Sequence, residues 1–516
     1  MPHEAQMSDQ SARTLRGLRD FFDTPLDARL ARHLTRSPIE AALSLFKDVA
    51  GSVPAYRAFL DEHGVAPASI RTPADFAHLP LCTKPNYVAR YPLAARCRGG
   101  RIEHCDIIAV SSGSTGVPSF WPRFLTDELE IATRFEQVFH DSFEADLRST
   151  LAVVCFALGT WVGGLYTVSS CRHLAAKGYP ITVVAPGNHK DEILRVVEGL
   201  GAAFEQIVLL GYPPFLKDVI DTGRARGVPW ARYRVRICTA GEVFSEEWRA
   251  LVLERVGSTE LCRDAASLYG TADAGVLGNE TPLSVSIRRF LADHPAPARE
   301  LFGEARLPTL VQYDPLSRYF EVSEGTLLFT GDNGVPLIRY HIADEGGLID
   351  YPAMLGFLGR HGFDPRACLG DGVRGARPLP FVYVFGRSHF VVSYFGANVY
   401  PENVTVGLEQ PEVREWVTGK FVMQVREDPE RNRSLWVVVE LAAGEAANEE
   451  RKDTAAAAIL RALMRLNSEY ANYVPAAYRT PNVDLRTTAD PEWFPAGVKH
   501  RYTRPCDGAG AQTPVL

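Results

Sequence analysis

The chain has 516 residues, 46% of them hydrophobic and 23% charged, enough for one large globular domain and a smaller one. Lys and Arg total 55 against 62 Asp and Glu, and the net charge of -7 excludes a nucleic-acid binder relying on a general basic surface. Nine cysteines scattered singly, without a C-x-x-C pair, suggest neither a zinc ribbon nor a disulfide framework, and fit reduced thiols in a cytoplasm. The polar start, residues 1–10, has no signal-peptide core.

The first hundred residues read as helical, with amphipathic stretches at 38–49 and 54–63. Short apolar runs then alternate with helical patterns: runs at 107–110, 151–156, 181–185, 206–210 and 235–239, helices at 126–143, 190–200 and 245–256. That rhythm predicts α/β architecture with a largely parallel sheet, whose ligands sit beyond the carboxyl ends of the strands. Directly after the first run comes Ser112-Gly113-Ser114-Thr115-Gly116. Glycine lets the backbone curl so that successive N–H groups converge on an anion, and the hydroxyls add donors. The stretch therefore reads as a polyphosphate nest or as a solvated Ser/Gly turn.

Residues 151–171 contain no charged side chain and are long enough to suggest a membrane span. The interleaved Gly159, Gly163 and Gly164, with Thr, Ser and Tyr, favour a buried strand, a Gly-rich turn and a buried helix instead. Trp161, Gly163, Gly164 and Tyr166 are candidates for lining a pocket for a flat ring, though Trp161 and Tyr166 read equally as core aromatics. Further on, Thr239-Ala240-Gly241-Glu242 ends an apolar run with small residues that let a flat ring approach the backbone. Tyr269-Gly270-Thr271-Ala272-Asp273 then brings together an aromatic face, a hydroxyl and a carboxylate. These suit base stacking, phosphate contact and Mg²⁺ binding, while a Tyr-Gly turn also serves structure alone.

After residue 305 the rhythm changes, and runs at 325–330 and 381–385 predict a β-rich subdomain. Asp344 follows a short strand pattern there and reads as an acceptor for ribose hydroxyls or as a turn residue. The main boundary falls at Gly386–Arg387, dividing 1–386 from 387–516. The second part reads as α+β, with strands at 421–425 and 435–441 and a helix at 453–470; the tail 507–516 reads as disordered.

Together and in this order, these stretches resemble the adenylate-forming superfamily, acyl-CoA synthetases and their relatives, and most nearly its phenylacetate–CoA ligase-like branch. Residues 110–118 resemble the family's Ser-Ser-Gly-Thr-Thr-Gly-Lys-Pro loop, and Tyr269–Asp273 its Tyr-Gly-x-Thr/Ser-Glu segment. Pro336–Asp344 is similar to Pro-Leu-Ile-Arg-Tyr-x-x-x-Asp, and Gly386-Arg387-Ser388 with Phe395–Pro401 resembles the hinge. Val53–Arg57 and Leu79-Pro80-Leu81-Cys82-Thr83-Lys84 also look like that branch, so the likeness runs from about residue 40 to 410.

The resemblance implies a large N-terminal domain and a small mobile C-terminal one, and it implies roles. Ser112, Gly113, Ser114, Thr115 and Gly116 would cradle the phosphates of ATP. Gly241, Glu242, Tyr269 and Gly270 would frame adenine, with Ala240 beside the substrate. Thr271 would touch the α-phosphate, Asp273 would help hold Mg²⁺, Asp344 would bind ribose, and Arg387 would reach the nucleotide from the domain junction. Lys499 is the candidate for the mobile lysine that bridges acyl carboxylate and phosphate, or else it is a solvated surface residue.

Three departures stand out: Val117 where the family has lysine, Asp273 for glutamate, and His389 for the hinge aspartate. The Cys/His cluster of some relatives is not evident after Gly278. The expected function is adenylation of an aromatic carboxylic acid followed by transfer to CoA, in a specialised biosynthetic pathway, by a cytoplasmic monomer or homodimer without nucleic-acid or membrane partners. Two alternatives stand beside it. One passes the activated group to an amine, or activates nitrite to make an aryl diazo group. The other is a non-catalytic nucleotide-binding relative.

Overall fold

The computed structural model describes residues 9–504 except 104, 111–118, 160–161, 242, 304–306, 370–373, 388–391, 396, 428–432, 468–469, 472–473, 496–499 and 501. Each of the alternating apolar runs becomes a strand. The strands are β1 (Ile107–Val110), β2 (Phe120–Arg123), β3 (Thr150–Val154), β4 (Ile181–Val184), β5 (Gln206–Gly211), β6 (Val235–Ala240), β7 (Ala265–Thr271), β8 (Gly275–Asn279) and β9 (Thr309–Gln312). They continue as β10 (Arg318–Ser323), β11 (Thr326–Gly331), β12 (Leu337–Ile349), β13 (Phe381–Arg387), β14 (Val392–Tyr394), β15 (Ala397–Val399), β16 (Val417–Glu427), β17 (Arg433–Leu441) and β18 (Asn482–Arg486).

Eleven strands form one sheet in the order β10-β11-β12-β13-β9-β8-β7-β6-β5-β3-β4. From β4 to β7 neighbours are parallel; from β7 onward they are antiparallel. In β3 and β5 every residue is buried, as expected of strands covered on both faces. Alternate residues serve opposite cores. Leu151 and Val153 pack with helices Lys190–Leu200, Pro213–Ala225 and Glu246–Arg255 on one side. Ala152 and Val154 pack with Leu125–Asp141 and Val162–Ala176 on the other. The uncharged stretch 151–171 is thus a strand followed by a helix, and no helix among the described residues is long and apolar enough to cross a membrane.

Two expectations are corrected. β1 pairs antiparallel with β2 outside the large sheet, so the run before the Ser/Gly stretch is not a strand of the parallel sheet; the stretch itself, 111–118, lies outside the described residues. The late strands β9 to β13 form no separate β-rich subdomain. They extend the same sheet, because β8 pairs with β7 on one edge and β9 on the other, leaving no free edge between the halves.

A network of buried charge holds the place where the sheet changes direction. Arg249 Nη2 donates to Glu280 Oε1 at 2.7 Å, its Nη1 to the carbonyl of Ala265 at 2.7 Å, and its Nε to Glu246 Oε2 at 2.9 Å. Glu280 Oε2 accepts from the Ser267 amide at 2.8 Å, and Arg288 pairs with Glu246 while donating to the carbonyl of Phe244.

Residues from Val392 to Leu485 build a second apolar core around β16, β17, β18 and the helices Pro401–Leu408 and Glu449–Leu466. It meets the parallel half of the large sheet through polar contacts. Buried Lys217 donates to the carbonyls of Arg414 and Val417, both at 2.9 Å, and Arg255 pairs with Asp221 and Glu415. Ser245 donates to the buried Glu409 carboxyl.

Burial pushes the Glu409 carboxyl up from its ordinary 4.5 to about 8, and nearby Glu247 adds to the rise while Ser245 and Arg288 oppose it. The folded form thus holds this proton more tightly than the unfolded chain. The resulting stability is present in full below about pH 4.5 and is lost as the pH rises through about 8. Thermal unfolding followed from pH 5 to 9 is expected to show that loss, and Glu409→Gln to flatten it.

Candidate active site

The carboxyl ends of β3, β5, β6 and β7 lie side by side, with Val154 opposite Leu210, Gly211 opposite Thr239 and Ala240 opposite Leu268. Beyond this edge the β7–β8 hairpin carries Tyr269, Gly270, Thr271 and Asp273. Gly270 is required by close packing: a Cβ there would stand 2.5 Å from the carbonyl oxygen of Gly275. Thr271 Oγ1 accepts from the Ala274 amide at 3.1 Å and closes the turn.

Two tyrosine–aspartate bonds cross between this hairpin and β12. Tyr269 Oη donates to Asp344 Oδ2 at 2.7 Å, and Tyr340 Oη donates to Asp273 Oδ2 at 2.6 Å. Both carboxylates are 5% exposed. Each strand thus gives a phenol to the other's carboxylate, and bonds to charged acceptors are the stronger kind. Asp344 lies opposite Arg387 in the backbone register of β12 and β13. Three predicted residues, Tyr269, Asp273 and Asp344, therefore meet, with Arg387 beside them in the sheet.

Sequence reasoning did not assign Lys84 to the site. Its ammonium lies 3.7 Å from Asp273 Oδ1. It arrives there because the segment before it runs along β12: Cys82 donates its amide to the Arg339 carbonyl and accepts from His341. Thr83 and Asn86 then cap the turn that holds the lysine at its start. That Thr-x-x-Asn capping pair was the available signal. Arg96 is also buried close by, and its Nε and Nη1 have no hydrogen-bond partner among the described residues.

A second wall is apolar. Gly241, at φ +87°, leaves room for the ring of Tyr212, whose Cε1 would be 2.8 Å from a Cβ at that position. Tyr212 meets Phe156 edge-to-face at 5.0 Å, and Gly163 lies against both rings. A Cβ on Gly164 would stand 2.3 Å from the Ala157 carbonyl, so only glycine lets this helix start flush against the preceding turn. Ala240 is half-buried at the end of β6. Tyr166 is buried with its ring facing Arg123, 5.8 Å from the guanidinium carbon. Tyr212 and Phe156 were missed because ordinary core aromatics carry the same local pattern. Ser112, Gly113, Ser114, Thr115, Gly116, Trp161, Glu242 and Lys499 lie outside the described residues, as does the side chain of Arg387.

No family model matches the chain. It is 24% identical over 299 residues to a phenylacetate–coenzyme A ligase of Aromatoleum evansii, covering 57% of this chain and 61% of that protein. It is also 24% identical over 367 residues to a phenylacetate–coenzyme A ligase of Thermus thermophilus, covering 70% and 72%. The match thus spans less than two thirds of the first relative's length. A 2-hydroxyisobutyryl-CoA ligase in its postadenylation state, in complex with R3-HIB-AMP, has the same fold, with a TM-score of 0.60 at 14% identity over 91% of this chain and 88% of that one.

The chain is thus similar in sequence to phenylacetate–CoA ligases and shares the fold of an acyl-CoA ligase.

Among the family departures, Val117 and His389 lie outside the described residues, and Asp273 lies inside them. The shorter Asp273 carboxylate is met by Tyr340 on one oxygen and by Lys84 near the other. No group of three His, Cys, Asp or Glu side chains among the described residues could hold a metal by itself. A single carboxylate fits Mg²⁺ that arrives on nucleotide phosphates, since that ion is held by one or two protein carboxylates plus phosphate oxygens.

Tyr340→Phe removes the donor from a buried carboxylate oxygen, so it is expected to lower stability by about 1.5–3 kcal/mol. Urea denaturation of the variant beside the parent measures this.

Proposed function

We propose that the chain activates the carboxylate of an aromatic acid with MgATP, releasing pyrophosphate, and then transfers the acyl group to CoA. The observation that carries this reading is the crossed pair of tyrosine–aspartate bonds. It gathers two carboxylates of the family's motifs at the carboxyl ends of the sheet strands, where α/β proteins hold ligands.

In the first step a carboxylate oxygen of the acid attacks the α-phosphorus of ATP. The bond to the bridging oxygen breaks and pyrophosphate leaves with its electron pair. Two anions must approach, so in-line positioning and positive charge matter more than any protein nucleophile. In this reading Ser112, Gly113, Ser114, Thr115 and Gly116 cradle the phosphates, and Thr271 touches the α-phosphate. Asp273 orients the metal carried by the nucleotide, and Asp344 accepts from ribose. Gly241, Glu242, Tyr269 and Gly270 frame adenine. Arg387 and Lys499 reach the site from the small domain, residues 387–516, which acts as a mobile lid. Lys84 adds a cation beside Asp273.

The aromatic character of the acid is supported by Phe156 and Tyr212 standing edge-to-face beside Gly163, with Gly241 flush against Tyr212. Trp161, Gly164, Tyr166 and Ala240 complete the proposed pocket. The seven cysteines whose side chains are described are free thiols, as suits a reducing cytoplasm. A second reading, transfer to an amine in place of CoA, is favoured by His389 standing where the hinge aspartate is usual.

Pyrophosphate release over a panel of aryl acids, amines and nitrite, with and without CoA, tests the proposal. AMP and pyrophosphate are expected with an aryl acid, and a thioester when CoA is added. An amide formed without CoA would replace the first reading by the second, and no AMP from any combination would overturn both. Lys499→Ala is expected to slow adenylation by about 10²–10³-fold, the usual cost of removing one group that stabilises developing charge.

A further inference from the structure

Arg123 stands on β2, directly after the Ser/Gly stretch, and is 1% exposed. Its Nη2 donates to the carbonyl of Ala272 at 2.6 Å and to that of Asp273 at 3.1 Å. The next carbonyl, Ala274, accepts from Nη2 of Arg318 on β10 at 3.4 Å. Arg318 is itself buried, and its Nη2 also donates to Asn333 Oδ1 at 3.2 Å. Three successive carbonyls of the turn that presents Asp273 are therefore held by two buried guanidinium groups.

Arg123 has no direct salt-bridge partner among the described residues, though its charge favours the ionised form of the buried Asp127 carboxyl against the effect of burial. Its Nε and Nη1 lack hydrogen-bond partners among the described residues. The rings of Trp121 and Tyr166 face it, with centroids 5.9 and 5.8 Å from the guanidinium carbon. A buried cation whose direct contacts are carbonyls and rings carries a desolvation cost that a neutral amide donor would avoid. Its positive field, however, is little screened by solvent at this depth.

We propose that Arg123 is a positioning residue that ties the Asp273 turn to β2, so that the metal-orienting carboxylate keeps its place for MgATP. This rests on the adenylation reading above. Arg318 is the second half of the same clamp, acting on Ala274 alone.

Steady-state pyrophosphate release by Arg123→Ala and Arg123→Lys, with MgATP, free Mg²⁺ and the acid varied separately, tests the proposal. The alanine variant is expected to lose about ten- to a hundredfold in kcat/KM for MgATP, the usual effect of deleting charge-assisted hydrogen bonds. Its Mg²⁺ requirement is expected to rise, and its KM for the acid to stay within about twofold of the parent value. Added guanidinium ion should restore part of the loss in Arg123→Ala. Arg123→Lys keeps the charge but has no planar fork for adjacent carbonyls, so a smaller loss in the same direction is expected.

An unchanged KM for MgATP in either folded variant, or an equal loss for MgATP and acid without guanidinium rescue, would overturn the proposal. If Arg123→Ala does not fold, the lysine variant decides on the same criteria. A parent protein inactive on every acid speaks against the adenylation reading itself. In that case MgATP affinity by calorimetry decides on Arg123: weaker binding by the lysine variant upholds the clamp, and equal or undetectable binding in both proteins overturns it.

Discussion

The buried ion network around Arg249 and Glu280 is the constraint on which the site depends. It ties the base of the β7–β8 hairpin to the helix Glu246–Arg255 and, through Arg288, to the backbone at Phe244. The hairpin lies where parallel pairing gives way to antiparallel pairing, a place where a strand can easily slip in register. Removing one partner from such a pair leaves an uncompensated buried charge, at about 3–5 kcal/mol. Charge is used here for specificity of geometry, since Arg249 donates to two carboxylates and one carbonyl in a fixed planar fork.

From that anchored base the hairpin reaches out to β12, and the two tyrosine–aspartate bonds fix its tip. The site is thus supported at both ends of one short element. Its residues come from far apart in the chain: 75 positions separate Tyr269 from Asp344, and 67 separate Asp273 from Tyr340. The 79–84 segment adds Lys84 by lying along the same strand, which makes β12 the backbone support for cation and anion alike.

The alternating half of the fold was legible because each strand is an apolar run bounded by polar turns. Residues 151–154 and 207–210 can be nothing but buried, whatever their neighbours. The pairing of those strands was not legible. A run such as Ile107–Val110 has strand periodicity whether it joins a large sheet or a separate pair, and only tertiary contact decides. The same reason hid the continuity of β9 to β13 with the parallel half. In the site, Asp273 and Asp344 stood out as carboxylates within glycine- and aromatic-rich turns. Lys84, Tyr212 and Arg123 did not, because their importance lies in what they touch across the fold.

The contact made by Lys217 has a consequence for how this chain can change over time. Its ammonium recognises the peptide carbonyls of Arg414 and Val417, groups that every residue type possesses. Substitution at those two positions leaves the acceptors in place, so the surface of the C-terminal unit can drift in composition while the seat beneath it stays the same. The constraint falls instead on Lys217 and on the path of the backbone from 414 to 417. Inserting or deleting a residue there would disturb the seat more than most exchanges of side chain.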